Sequence, residues 1–171
     1  MNIELRQFKD MNFDQQWQIA NAVSVETKSQ FGAEQKIVPV TPTDIIAKGI
    51  GMVALEKDVL VGYVGAARPI ENGGYHFSQV GTLIVPANYR GLNVGSMLVE
   101  AITVAVTEHD NIPFAFSNQS SKASFLKAKF TEALPSELPP SAVSHFGNQA
   151  LVYPRYNKID AIHDTSVEAV S

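Results

Sequence analysis

Ile3-Glu4-Leu5-Arg6-Gln7-Phe8 alternates apolar and polar side chains, the period-2 pattern of a half-buried strand. The period then lengthens. Phe13, Trp17, Ala20 and Ser24 recur at four- and three-residue spacing, which predicts a helix capped by Asp10 or Asn12 and fading near Phe31-Gly32. Pro39 and Pro42 mark a loop, and Thr43 or Asp44 can cap a short helix through Ile46 that stops at Gly49. Met52 to Leu55 and Val59 to Ala67 are strand-forming runs joined by the polar connection Glu56-Lys57-Asp58, which suits a hairpin. Asn72-Gly73-Gly74 is a further turn, since both residue types accept positive φ at little cost. It opens a long strand, Tyr75 to Val85, that Pro86 ends.

From Val94 the helical period returns: Val94, Met97, Leu98, Ala101, Ile102 and Ala105 form one apolar stripe. Ile112 to Phe116 reads as a buried strand, and Ser120 to Lys129 as a helix with Phe125, Leu126 and Phe130 facing inward. Ala150 to Tyr153 reads as the last strand, with Pro154 at its end or at a sheet edge. Tyr63, Trp17 and Phe13 are assigned to the core. The order β-α-α-β-β-β-α-β-α-β describes an α+β domain with one mixed sheet. Its strands Tyr75 to Val85 and Ile112 to Phe116 should run parallel through a right-handed crossover. Residues 1–157 are read as one domain, and 158–171 as a short tail, frayed or disordered.

Composition narrows the function classes. The chain of 171 residues, 45% hydrophobic, is of ordinary single-domain size. With no cysteine it has no disulfide, thiolate metal site or cysteine nucleophile. A net charge of −4, from 13 basic and 17 acidic residues, argues against a broad nucleic-acid surface. No apolar run approaches the ~18 residues of a membrane span, and the opening residues lack the apolar stretch of a signal peptide. A soluble, cytoplasmic protein with neither nucleic-acid nor membrane partners is expected. His76, His109, His145 and His163 lack metal-ligand spacing, so no metal is expected. The serines between Ser117 and Ser124 lack the G-x-S-x-G elbow of a hydrolase.

The most informative stretch runs from Val85 to Ser96, where a strand ends and a glycine-containing turn opens into a helix. A helix's first turn carries unpaired N–H groups and partial positive charge. Gly91 and Gly95 place no side chain in the way of close approach, and Asn93 tolerates the left-handed conformation. A pyrophosphate could dock there on backbone amides, with Arg90 as a mobile positive charge. An ordinary helix after a strand satisfies the same pattern. Gly49-Ile50-Gly51-Met52-Val53-Ala54 matches a dinucleotide fingerprint in spacing, but precedes a strand instead of following one.

Arg90-Gly91-Leu92-Asn93-Val94-Gly95 resembles the acetyl-CoA signature Gln/Arg-x-x-Gly-x-Gly/Ala of the general-control-related N-acetyltransferases, the GNAT superfamily, with Asn93 where the family places a glycine. Gly81 to Pro86 resembles that family's central strand. Downstream, Asn118, Ser121, Phe125, Lys129 and Phe130 stand at the offsets where the family shows Asn, Ala or Ser, Tyr, Gly and Phe. The resemblance covers roughly residues 3 to 156. It implies a single-domain acyl-CoA N-acyltransferase fold: a mixed, mostly antiparallel sheet of about six or seven strands, flanked by about four helices and splayed between the family's fourth and fifth strands.

The resemblance also implies acetyl-CoA as co-substrate and direct attack by an amine acceptor, a small molecule or a peptide. Backbone groups of Ile84 and Val85 would pair with the pantetheine arm, the Val85 N–H donating to the thioester oxygen. Amides from Leu92 through Asn93, Val94 and Gly95 to Ser96 would hold the pyrophosphate, beside Arg90 and Gly91, and Asn118 and Ser121 would contact the arm. Phe125 replaces the tyrosine that often protonates the departing thiolate, leaving water, Ser121 or Ser124 for that step. The family's strand glutamate is missing between Tyr75 and Val85, so His76 is the candidate base, with Glu71 and Glu26 behind it. Lys122, Lys127 and Lys129 would form a basic rim for the polyanionic cofactor. Ser24 to Gly49 and Leu134 to Gly147 are expected to wall the acceptor pocket. Homodimerisation is compatible with the sequence, as is a CoA-binding protein of weakened catalysis, or transfer of another acyl group.

Overall fold

The computed structural model describes residues 2–34, 37–142 and 148–154. The tail assigned to 158–171, and His145 and His163, lie outside them. The strands are β1 (Glu4–Gln7), β2 (Ile50–Glu56), β3 (Val59–Ala66), β4 (Ile70–Asn72), β5 (Tyr75–Ile84), β6 (Ile112–Ser117), β7 (Thr131–Glu132) and β8 (Gln149–Val152). The helices are α1 (Phe13–Glu34), α2 (Pro42–Ile46), α3 (Val94–Glu108) and α4 (Gln119–Lys127). The eight strands form a single sheet in the order β1-β2-β3-β5-β6-β8-β7, with β4 pairing β5. The sheet is mixed, and among the described residues its one parallel pair is β5 with β6, as the β-α-β segment requires. The pattern missed β4 and β7, which at three and two residues are too short to complete a period.

Helices pack on both faces. One face carries α3 and α4, whose Val94, Leu98, Ile102 and Phe125 meet Met52, Ala54, Val61 and Val64 of the sheet. The opposite face carries α1 and α2, where Ile19, Ala20, Val23 and Ile45 cover Val53, Tyr63 and Ile84. At the β2–β3 hairpin, Lys57 (φ 48°) and Asp58 (φ 64°) supply the two left-handed positions a two-residue turn needs.

Several local expectations change. Asn12, not Asp10, caps α1: its Oδ1 accepts the Gln15 N–H at 2.8 Å while Gln15 Oε1 accepts the Asn12 N–H at 3.1 Å. The helix runs past Gly32 to Glu34. The row Phe13-Trp17-Ala20-Ser24 reaches the core only at its later members. Phe13 is 69% exposed and packs on half-buried Trp17 at a centroid distance of 6.1 Å. In α2 the cap is Thr41, with Pro42 at the first helical position and Asp44 closing a capping box. Leu126 is 45% exposed, because Phe125 and Phe130 already fill the inner face of α4.

Two features of β5 shape the molecule's centre. Its register with β6 runs from Phe77↔Ile112 to Gln79↔Phe114; farther on, β5 follows β3 while β6 follows β8. Along β3, Gly65 faces Gly81 and Tyr63 faces Ile84, so Thr82 and Leu83 stand opposite the single residue Val64. This is a β-bulge, and Thr82 has φ of +57° within it. Among the described residues, no helix is long and apolar enough to cross a membrane.

Candidate active site

The loop after β5 forms a 3-10 turn, Ala87–Tyr89, then passes through Gly91 (φ +78°) and Asn93 (φ +67°) into α3. Asn93 occupies the N-cap position, yet its side chain makes no capping bond. Its Oδ1 instead accepts from Lys127 Nζ at 2.8 Å. The Met97 N–H closes the helical ladder on the Asn93 carbonyl at 3.1 Å. The preceding amides, of Val94, Gly95 and Ser96, therefore belong to a first turn whose cap residue has turned away. All three residues line a cavity of about 310 Å³. Its far wall is α4, with Asn118, Ser120, Ser121 and Ser124. A Cβ at Gly95 would stand 3.0 Å from Ser124 Oγ, so the two helices approach closely because this residue is glycine.

A second cavity of about 280 Å³ shares Ile37, Leu83, Asn118 and Ser121 with the first, so the two meet at the bulge. Gly81, Thr82 and Leu83 contribute its floor, and Ile37, Val38, Val40 and Lys48 line it from the segment after α1. A β-branched residue at positive φ is a strained conformation, and here it lines the second cavity next to Leu83, which both cavities share. The Val85 carbonyl receives Arg90 Nε at 3.1 Å and Gln30 Nε2 at 3.3 Å, and Gln30 also donates to Glu26 Oε1 at 3.1 Å. At α4 the capping is complete: Asn118 Oδ1 accepts the Ser121 N–H at 2.9 Å and the Ser120 hydroxyl at 2.7 Å. Among the described residues, no group of three or more His, Asp or Glu side chains is placed to hold a metal ion.

The model of the acetyltransferase (GNAT) family matches residues 17–130, which contain the bulge, the loop, α3 and α4. The chain belongs to that family. Among solved structures, this GNAT chain is similar to an acetyltransferase of Staphylococcus aureus Mu50, with 16% identity, TM-score 0.64, and 88% of this chain and 98% of that one covered. It is also similar to N-acetylglutamate synthase from Neisseria gonorrhoeae, solved with coenzyme A and N-acetyl-glutamate (14% identity, TM-score 0.66, 91% of this chain and 36% of that one). A third similar structure is the N-acetyltransferase YhbS of Escherichia coli in complex with CoA (14% identity, TM-score 0.58, 90% and 81% covered). At such identities the structures share the fold alone. No curated protein matches the sequence.

Most of the residues that the GNAT signature singled out lie together. Val85, Arg90, Gly91, Asn93, Val94, Gly95, Ser96, Asn118 and Ser121 line the first cavity, and Phe125 lines the second. Leu92 is absent from both linings and 45% exposed. Ile84 is fully buried in the core beneath α1, in register with Tyr63. Lys127 donates to Asn93, and Arg90 donates to the Val85 carbonyl. The basic rim is smaller than expected, since Lys122 pairs with Glu132 at 2.9 Å.

His76 is not brought to the site. It is exposed on the early part of β5, opposite Glu71 of β4, and lines neither cavity. Glu26 approaches only through Gln30. Of the expected acceptor walls, Ile37, Val38, Val40 and Lys48 contribute from the first segment. Residues 143–147 of the second lie outside those described. Within that first segment the sequence did not single out Gln30 or Lys48, and it missed Thr82. For Thr82 a signal existed: Gly81 inside a strand marks a bulge. Gln30 and Lys48 carry none, since only the fold brings them near the loop.

Proposed function

We propose that the chain is an acetyl-CoA-dependent N-acetyltransferase in which an amine acceptor attacks directly within a ternary complex. The observation that carries this reading is the first turn of α3, whose cap side chain is drawn off by Lys127 where the turn borders the larger cavity. Backbone amides at a helix start, with Gly91 and Gly95 leaving space, fit the pyrophosphate of coenzyme A. The cofactor-bound state of two similar structures supports the same ligand.

Acetyl-CoA, when bound, supplies an activated acyl carbon and a thiolate leaving group. The chain's own part is positioning and polarisation. Val94, Gly95 and Ser96 hold anionic oxygen through their amides, and Lys127 keeps Asn93 from competing for them. The Val85 N–H is the assigned donor to the carbonyl oxygen. The Val85 carbonyl, in the next peptide along, is held by Arg90 and Gln30, which anchors the chain just after the donor. The second cavity receives the acceptor, whose amine must enter neutral or lose its proton to water. Among the described residues, that lining contains no carboxylate or imidazole. Phe125 has no hydroxyl, so Ser121, which lines both cavities, supplies the hydroxyl at the junction.

The test is direct. Acetyl-CoA should raise the melting temperature of the folded protein, and a panel of primary amines should contain members that release free thiol. Absence of both effects overturns the proposal. A second reading, a CoA-binding protein with weakened catalysis, is favoured by one observation: Phe125, in the family's tyrosine position, is 3% exposed and packs on Phe130 at 5.1 Å. Because general acid help is worth about 10²–10⁴-fold, a gain of that order in Phe125→Tyr would support the second reading. An unchanged rate would show that the step proceeds without it.

A further inference from the structure

Lys48 lies two residues beyond α2 and reaches the second cavity half-buried. Among the described lining residues it is the only charged one, beside the apolar Ile37, Val38, Val40 and Phe116. Its stem crosses β3 over Gly65, where a Cβ would collide with Lys48 Cδ and stand 2.8 Å from Tyr63 Oη. The glycine is what admits the lysine. Among the described residues, the Lys48 ammonium has no hydrogen bond and no ion pair. Asp44 acts on it only through space, because its own carboxylate accepts the Thr41 N–H at 3.0 Å. Burial disfavours the charged form and lowers the Lys48 pKa. A desolvated cation without a partner is costly, and a matching anion removes that cost.

We infer that the acceptor is a small amine bearing a carboxylate, an α-amino acid with an apolar side chain, whose carboxylate pairs with Lys48. One cation in a lining otherwise uncharged matches a single negative charge, and Ile37, Val38, Val40 and Phe116 give the wall an apolar side. The cavity of about 280 Å³ has room for one amino acid. With its carboxylate at Lys48 and its side chain along Val38 and Val40, the amine faces the junction at Asn118 and Ser121, which both cavities share. This assignment rests on the acetyltransferase reading for the chemistry of the acceptor, but the recognition itself needs no turnover.

The experiment therefore measures binding of the product. N-acetyl-L-leucine and its uncharged counterpart N-(3-methylbutyl)acetamide are titrated calorimetrically into wild type, Lys48→Met and Lys48→Arg, each with and without saturating coenzyme A. The wild type should prefer the carboxylate by at least about tenfold, as expected for a charge-assisted hydrogen bond. Lys48→Met should lose that preference, Lys48→Arg should keep most of it, and all three proteins should bind coenzyme A equally. Equal binding of the two compounds, binding of neither, or a preference that survives in Lys48→Met overturns the assignment. Because both titrations are also run without coenzyme A, a chain that fails to bind the cofactor refutes the acetyltransferase reading and still reports on Lys48.

Discussion

Lys129 shows how a single residue can sit against its own preference. The Phe130 N–H bonds the Phe125 carbonyl at 3.0 Å and the Lys129 N–H bonds that of Leu126 at 3.0 Å, the paired bonds of a Schellman motif closing α4. Its left-handed position is Lys129, at φ +72°, where the family places glycine. A side chain there costs roughly 1–2 kcal/mol, while glycine carries an entropic penalty of roughly 0.5–1 kcal/mol. Lys129→Gly should therefore stabilise the fold by about 0.5–1 kcal/mol, read as a higher denaturation midpoint with unchanged slope. A lower midpoint would mean that the exposed lysine makes a compensating interaction. At this scale the sequence was partly legible. Asn93 advertises its left-handed geometry by residue type, whereas Lys129 and Thr82 adopt theirs against the preference of their residue types.

The two helices that border the larger cavity begin differently, and that difference belongs to the elements. Asn118 caps α4 in the ordinary way, whereas the cap residue of α3 is held by Lys127. Long periodic elements such as α3 were readable because an apolar stripe repeats over four turns. The strands β4 and β7 were not, and the outward placement of Leu126 depended on which aromatic rings claimed the core first. The approach of α3 to α4 at Gly95 gives a test. In Gly95→Val the new side chain must displace Ser124 Oγ, which would lie 3.0 Å from its Cβ, and it fills the space beside the first-turn amides. Binding of coenzyme A should fall at least about tenfold, equivalent to 1.4 kcal/mol. Unchanged affinity, measured by calorimetry on folded protein, would move the pyrophosphate away from this turn.

At the scale of the molecule, the site is assembled from parts far apart in the chain: Gln30 of α1, Lys48 after α2, the bulge of β5, the start of α3 and the face of α4. Local pattern identified the contiguous loop from Val85 to Ser96. It could not identify Gln30 or Lys48, whose relation to that loop exists only once α1 and α2 cover one face of the sheet and α3 the other. What fixes α3 against the sheet is the absence of a side chain at Gly62 on β3. A Cβ there would meet Leu98 Cδ1 at 2.6 Å, Val94 Cγ1 at 2.8 Å and the Ile84 carbonyl at 3.3 Å. Gly62→Ala should cost about 1–3 kcal/mol through overpacking and push the start of α3 away from β5. Val106→Ala offers the comparison. It removes two methyl groups from a fully buried side chain near the other end of α3, at a cost of about 2 kcal/mol. If geometry at the start of the helix controls the cofactor site, Gly62→Ala should weaken coenzyme A binding severalfold, while Val106→Ala, similarly destabilised, binds like wild type. Equal affinities in the two variants, measured well below both melting temperatures, would show that the site tolerates a shift of α3.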